Sequence, residues 1–109
     1  MSDKPPPATL AQLAKTIRSK NAGVDFITFD VIFRERADYE RVKAARVLTR
    51  ESVIRLYRIA PERLRDFVEF DAANAIKFTI ARLEPSGSPG DPDIFGAQQY
   101  APLLDIVVP

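Results

Sequence analysis

The sequence predicts one α+β domain: a ferredoxin-like antiparallel sheet with helices on one face and an extra element at the N-terminus. Three observations lead there. Phe26 to Phe33 alternates as a strand, residues 38 to 57 place apolar side chains at helical spacing, and two more strand patterns follow, Phe67 to Asp71 and Ile76 to Leu83. A chain of 109 residues is large enough for one core and too small for two. The expected division is a flexible tail over residues 1–8, where three prolines adjoin, and a single domain over residues 9–109.

In chain order, Leu10, Leu13, Ala14 and Ile17 fit a helix, while Leu13, Lys15 and Ile17 also fit a strand, so the spacing leaves both open. The polar run Arg18 to Gly23 predicts a loop, with Gly23 or Asn21 at positive φ. In the strand that follows, Ile27, Phe29, Val31 and Phe33 share one face. The other face, Phe26, Thr28, Asp30 and Ile32, is half apolar and carries a carboxylate that needs a partner or a path to water. Asp38 is the expected cap of a first helix, with Tyr39, Val42 and Ala45 or Arg46 recurring along it. Thr49 is the expected cap of a second, with Val53, Ile54, Leu56 and Tyr57 as its buried stripe. Pro61 then suits a turn or a first helical position. Residues Asp71 to Ala75 are short enough to join the next two strands as a hairpin, and Ile76, Phe78 and Ile80 mark the buried face of the second. A short helix around Ala97 to Tyr100 and a last strand, Asp105 to Val108, complete the order.

Composition narrows the chemistry. There is no cysteine, hence no disulfide, thiolate metal site or cysteine nucleophile, and no histidine, the commonest general base and metal ligand. Any acid–base step would fall to carboxylates, lysine or tyrosine, which counts against independent catalysis. No cofactor and no bound metal are expected. No run approaches the roughly 18 apolar residues of a membrane span, and the start MSDKPPPATL lacks the pattern of a signal or transit peptide, so the expected location is the cytoplasm. Residues 34 to 65 hold ten arginines and lysines against five acids. The interspersed acids make this a solvated helical surface rather than a nucleic-acid footprint.

Between Glu84 and Leu104 lie three of the four glycines and four of the nine prolines, with no lysine or arginine. Long loops of this kind are commonly functional. Ser86, Gly87, Gly90, Phe95 and Tyr100 are the candidate contacts to a partner protein, with Pro102 beside them. Ser86 to Gly90 has neither the GKS or GKT ending of a phosphate loop nor the dinucleotide GxGxxG pattern. Gln98 and Gln99 offer amide donors and acceptors, and Asp91 and Asp93 fall short of a calcium loop. Arg18, Ser19, Lys20 and Asn21 offer two cations, a hydroxyl and an amide, a set able to hold a carboxylate or phosphate. Asp30 is a candidate base or binding group, and it meets Lys77 if their strands are neighbours.

The segments LAKTIRSKNAG, the strand with Thr28 and Asp30, LTRESVIRLY, AIKFTIAR and SGSPGDPDIFGAQQYAPLLDI resemble a family of small bacterial proteins of unknown function over nearly the whole chain. They also resemble the small ferredoxin-fold domain that accompanies AtuA proteins, the acyclic terpene utilisation family. In that domain an RSGDKGD motif follows an LA-containing segment and precedes the first long strand. Arg18, Ser19, Lys20, Asn21, Ala22 and Gly23 occupy the matching place here, with fewer glycines and aspartates. The resemblance implies a small, non-catalytic or half-site subunit of an AtuA-like enzyme of carboxylic-acid, acyl or terpenoid catabolism. Two other readings remain: a stand-alone hydro-lyase or isomerase of small carboxylates, with Arg18 and Lys20 holding substrate and Asp30 as base, and a homo-oligomeric ligand-binding module.

Overall fold

The computed structural model describes residues 5–82 and 99–109. Strand β1 (Ala8–Thr9) leads into the one-turn helix α1 (Leu10–Leu13). Thr9 caps it: its hydroxyl accepts from the Gln12 amide at 3.3 Å, and the Gln12 side chain accepts from the Thr9 amide at 2.8 Å. The chain then extends as β2 (Ala14–Asn21), so residues 10–17 form a helix and then a strand.

The loop expected from Arg18 to Gly23 is mostly strand. Arg18, Ser19, Lys20 and Asn21 complete β2, and only residues 22–25 turn the chain, with Gly23 at φ 76°. The cause is the ladder with β3 (Phe26–Phe33), which runs from Ala14 opposite Phe33 to Asn21 opposite Ile27. Such a ladder satisfies backbone groups whatever the polarity of the side chains.

Helix α2 (Arg36–Ala45) starts at Glu35 rather than being capped by Asp38, which sits within its first turn where a carboxylate favours the helix dipole. Arg46 ends it at φ 54°. Helix α3 (Arg50–Tyr57) carries the expected Thr49 cap, completed by Ser52, whose hydroxyl accepts from the Thr49 amide at 2.8 Å. Val53, Ile54 and Tyr57 pack on the core, but Leu56 is 36% exposed. At about 100° per residue, Leu56 points roughly a quarter turn away from that stripe.

Pro61 opens a 3-10 turn, Pro61–Arg63, before β4 (Leu64–Phe70). A second 3-10 turn, Asp71–Ala73, with Asn74 at φ 50°, joins it to β5 (Ala75–Ala81). Strands β2, β3, β5 and β4 form one antiparallel sheet in that order. The α+β class and the helix-covered sheet follow the sequence. The last strand does not join that sheet: β6 (Val107–Val108) pairs with β1 as a separate ribbon. The place beside β3 is already filled by β2, and the returning chain is held instead by Leu10 N–H donating to the Ile106 carbonyl at 2.8 Å. Of the helix expected at Ala97 to Tyr100, Ala97 and Gln98 lie outside the described residues, and a 3-10 turn forms at Ala101–Leu103. Among the described residues no helix is long and apolar enough to cross a membrane.

One face of the sheet packs on α2 and α3. Phe78 lies at its centre, fully buried, with Phe29 stacked at 4.6 Å and Phe67 at 6.1 Å between ring centroids. Several arginines of the basic middle segment bind the protein's own backbone: Arg41 the Pro6 carbonyl at 2.7 Å, Arg50 that of Leu64 at 3.1 Å, and Arg63 that of Ala81 at 2.9 Å.

Helix α2 is pinned to the β4–β5 turn through Asp71. The Tyr39 hydroxyl donates to its carboxylate at 2.6 Å, Lys43 donates to the same oxygen at 3.0 Å, and Arg36 donates to its carbonyl. The tyrosine hydrogen bond, followed by the lysine, holds the Asp71 carboxyl below its ordinary range. Burial, then the carboxylate, pushes the Tyr39 phenol far up, so it remains a donor.

Phe78→Ala is expected to cost about 3–5 kcal/mol in urea unfolding, because it removes the ring around which those of Phe29, Phe67 and Tyr57 pack. Asp71→Asn tests the pin. A folded-state pKa held below the unfolded value adds stability that is present above about pH 4 and lost as pH falls through the folded value. The gap in Tm between wild type and Asp71→Asn should therefore be steady near neutrality and shrink in acid.

Candidate functional site

The second face of the sheet is the candidate site. Odd-numbered residues of β3 enter the core, so Phe26, Thr28, Asp30 and Ile32 point the other way. The ladders assemble rows across this face: Lys20, Thr28, Thr79 and Asp66 in one, Arg18, Asp30, Lys77 and Val68 in the next, then Thr16, Ile32, Ala75 and Phe70. Four strands are needed to make any one row.

Asp30 is the centre of the second row. It is only 7% exposed, and a buried carboxylate is costly unless paired. Arg18 Nε lies 3.0 Å from its Oδ2 and Lys77 Nζ 3.7 Å from its Oδ1, so each oxygen faces a cation from a neighbouring strand. Both cations are themselves about half exposed. In the adjoining row the Thr28 and Thr79 hydroxyls meet at 3.4 Å.

A register shift in β4 between Leu64 and Asp66 adds Arg65 to this face. Its guanidinium stands 5.9 Å from the centre of the Phe26 ring. Ala22, Phe26, Arg65, Asp66 and Thr79 enclose an open cavity of about 420 Å³. Arg18, Lys20, Arg65 and Lys77 outnumber Asp30 and Asp66, which leaves the face positive. Val68 and Phe70, 39% and 47% exposed, form an apolar margin on β4.

Of the residues singled out in the sequence, Arg18, Lys20 and Asp30 come together here. Ser19 and Asn21 do not, because alternate positions of β2 face opposite sides. Ser19 is buried, and its hydroxyl accepts from the Tyr100 amide at 3.1 Å. The Asn21 side-chain oxygen accepts from Arg82 at 3.0 Å. The Gln99 carbonyl accepts from the Tyr57 hydroxyl at 2.8 Å, and burial pushes that phenol's pKa up. Tyr100 is half-buried against the core. Gln98, Ser86, Gly87, Gly90 and Phe95, with Asp91 and Asp93, lie outside the described residues. Among the described residues no three carboxylates gather where they would hold a metal ion.

The family model described as a domain of unknown function, DUF4387, matches residues 10–107. The chain belongs to this family. All four strands of the candidate face fall within the stretch that the DUF4387 model matches. No curated protein and no solved structure matches the chain.

Sequence reading missed Arg65 and Thr79. Arg65 reaches the face through the shift in β4, which alternation does not signal, whereas Thr79 could have been placed by pairing β3 with β5 in the register that sets Asp30 opposite Lys77. A double-mutant cycle of Arg18→Gln with Asp30→Asn should give a coupling of about 0.5–1 kcal/mol that falls with added salt, as for a half-exposed pair. Asp30→Asn alone should cost more, about 1–3 kcal/mol, because two cations lose their counter-charge.

Proposed function

We propose that this protein is a small, non-catalytic or half-site subunit that associates with a larger AtuA-like enzyme of carboxylic-acid, acyl or terpenoid catabolism. The observation that carries the reading is the second sheet face: among the described residues, no helix of the chain covers it, yet it holds a buried carboxylate between two cations. A buried carboxylate paired with two half-exposed cations, on a face that no described helix covers, suits a surface that another polypeptide completes. The motif resemblance is the support for an AtuA-like protein as that polypeptide.

The stand-alone enzyme reading needs Arg18 and Asp30 on one face, and they share one. Both Asp30 oxygens face cations, so the half-site reading gives it the task of positioning Arg18 and Lys77 rather than taking a proton.

The tagged full chain purified from its native host should bring down an AtuA-like protein in near-equal amounts. Val68→Asp with Phe70→Asp alters two exposed side chains and should cut that capture by about tenfold or more with little change in Tm, since a desolvated apolar contact of this size is worth a few kcal/mol. A chain that stays alone at native concentration overturns the reading.

A further inference from the structure

We infer that the open sheet face binds an amphiphilic oxyanion, a small molecule charged at one end and apolar at the other. The inference rests on the half-site reading and names the ligand class of the same surface.

The charged end is set by β2. Arg18 is held by Asp30 through Nε, which orients the guanidinium while leaving its terminal amines outside the ion pair. Lys20 is two residues further along the same face, about 7 Å away, and among the described residues it makes no ion pair. Lys77 approaches from the other side of Asp30. Lys20 lies opposite Thr28, one row from Arg18 and Lys77, and the Thr28 hydroxyl can donate to an oxyanion or pass its hydrogen bond to Thr79. Arg18 and Lys77, already held by Asp30, lose little freedom on binding.

The apolar end is set by Phe26, two residues from Thr28 on β3 and so about 7 Å from it. Its ring and Ala22 line the cavity, whose volume of about 420 Å³ exceeds that of a single aromatic ring and is at the low end for small-molecule sites. Arg65 stands over the ring edge of the cavity and can cover an apolar body with its alkyl stem. Among the described residues Asp66 is the one carboxylate in the lining, on the β4 side. It repels a second negative charge there. Within the lining Arg65 is offset by Asp66, whereas on the β2 side Arg18, Lys20 and Lys77 outnumber Asp30, so the ligand carries its charge toward β2 and its apolar body toward Phe26.

Carboxylates and phosphate monoesters share this chemistry, and the test separates them. The isotopically labelled full chain is titrated by amide NMR with benzoate and with phenyl phosphate, alongside acetate and inorganic phosphate as head groups without a body. One of the aromatic probes should shift the amides of Phe26, Thr28 and Thr79 saturably and bind about tenfold or more tightly than its head group alone. The tighter of the two identifies the head group. Lys20→Gln should weaken binding by about threefold or more, and Arg18→Gln by at least as much. Lys20→Gln guards against a trivial loss of structure, since Lys20 supports no ion pair within the described chain. Absence of saturable shifts, equal affinity for head group and aromatic probe, or unchanged affinity in both variants overturns the inference. Ligand binding without co-purification of a partner would remove the association with an AtuA-like protein and leave this site standing. Co-purification without ligand binding would do the reverse.

Discussion

The pairing of β3 with β5, in the register that sets Phe29 against Phe78, decides both faces of the sheet together, because side chains alternate along each strand. On one side it stacks two rings at 4.6 Å and gives α2 and α3 an aromatic floor. On the other it puts Lys77 opposite Asp30 and Thr79 opposite Thr28. A slip of one residue would drive Lys77 into the core and expose Phe78. The apolar demand of the core thus holds the polar face in register, and the candidate site inherits its geometry from packing that it does not touch.

The two ends of the chain close the same core. Leu10, Leu103 and Val108 are buried with the sheet residues, and the β1–β6 ribbon ties Ala8 and Thr9 to Val107 and Val108. Arg41 on α2 donates to carbonyls at both ends, those of Pro6 and Pro109. The Tyr100 amide bonds to Ser19, and the Gln99 carbonyl to Tyr57, so the segment returning at residue 99 lies against the helix side of the sheet. Among the described residues, the opposite face is left to Arg18, Lys20, Asp30, Lys77 and the β4 margin.

Much of the fold was legible because it rests on local pattern. β3 runs from Phe26 to Phe33 as alternation predicts, Thr49 caps α3, and the β4–β5 connection is the short turn its length suggested. Where local preference competes with pairing, the sequence misleads. Arg18 to Asn21 looks like a loop because it is polar, yet a neighbouring strand of equal length recruits it. Asp38 looks like a cap, but α2 begins at Arg36 and Asp71 anchors the helix through Tyr39 and Lys43 instead. The candidate site was legible in part. Arg18, Lys20 and Asp30 were visible as chemistry-bearing residues, but Ser19 and Asn21 could be separated from them only once the segment was known to be a strand.

The sequence by itself determined the class, an α+β domain with one apolar sheet face, because burial requires that apolar residues recur at the period of the element that carries them. It also limited the chemistry, since a chain without cysteine or histidine draws its polar site from carboxylates, cations, hydroxyls and amides. Tertiary structure alone decided which strand lies beside β3, and therefore that Asp30 sits between Arg18 and Lys77, residues 12 positions before it and 47 after it. Such a row is set by backbone hydrogen bonds between distant segments, and no local spacing encodes it.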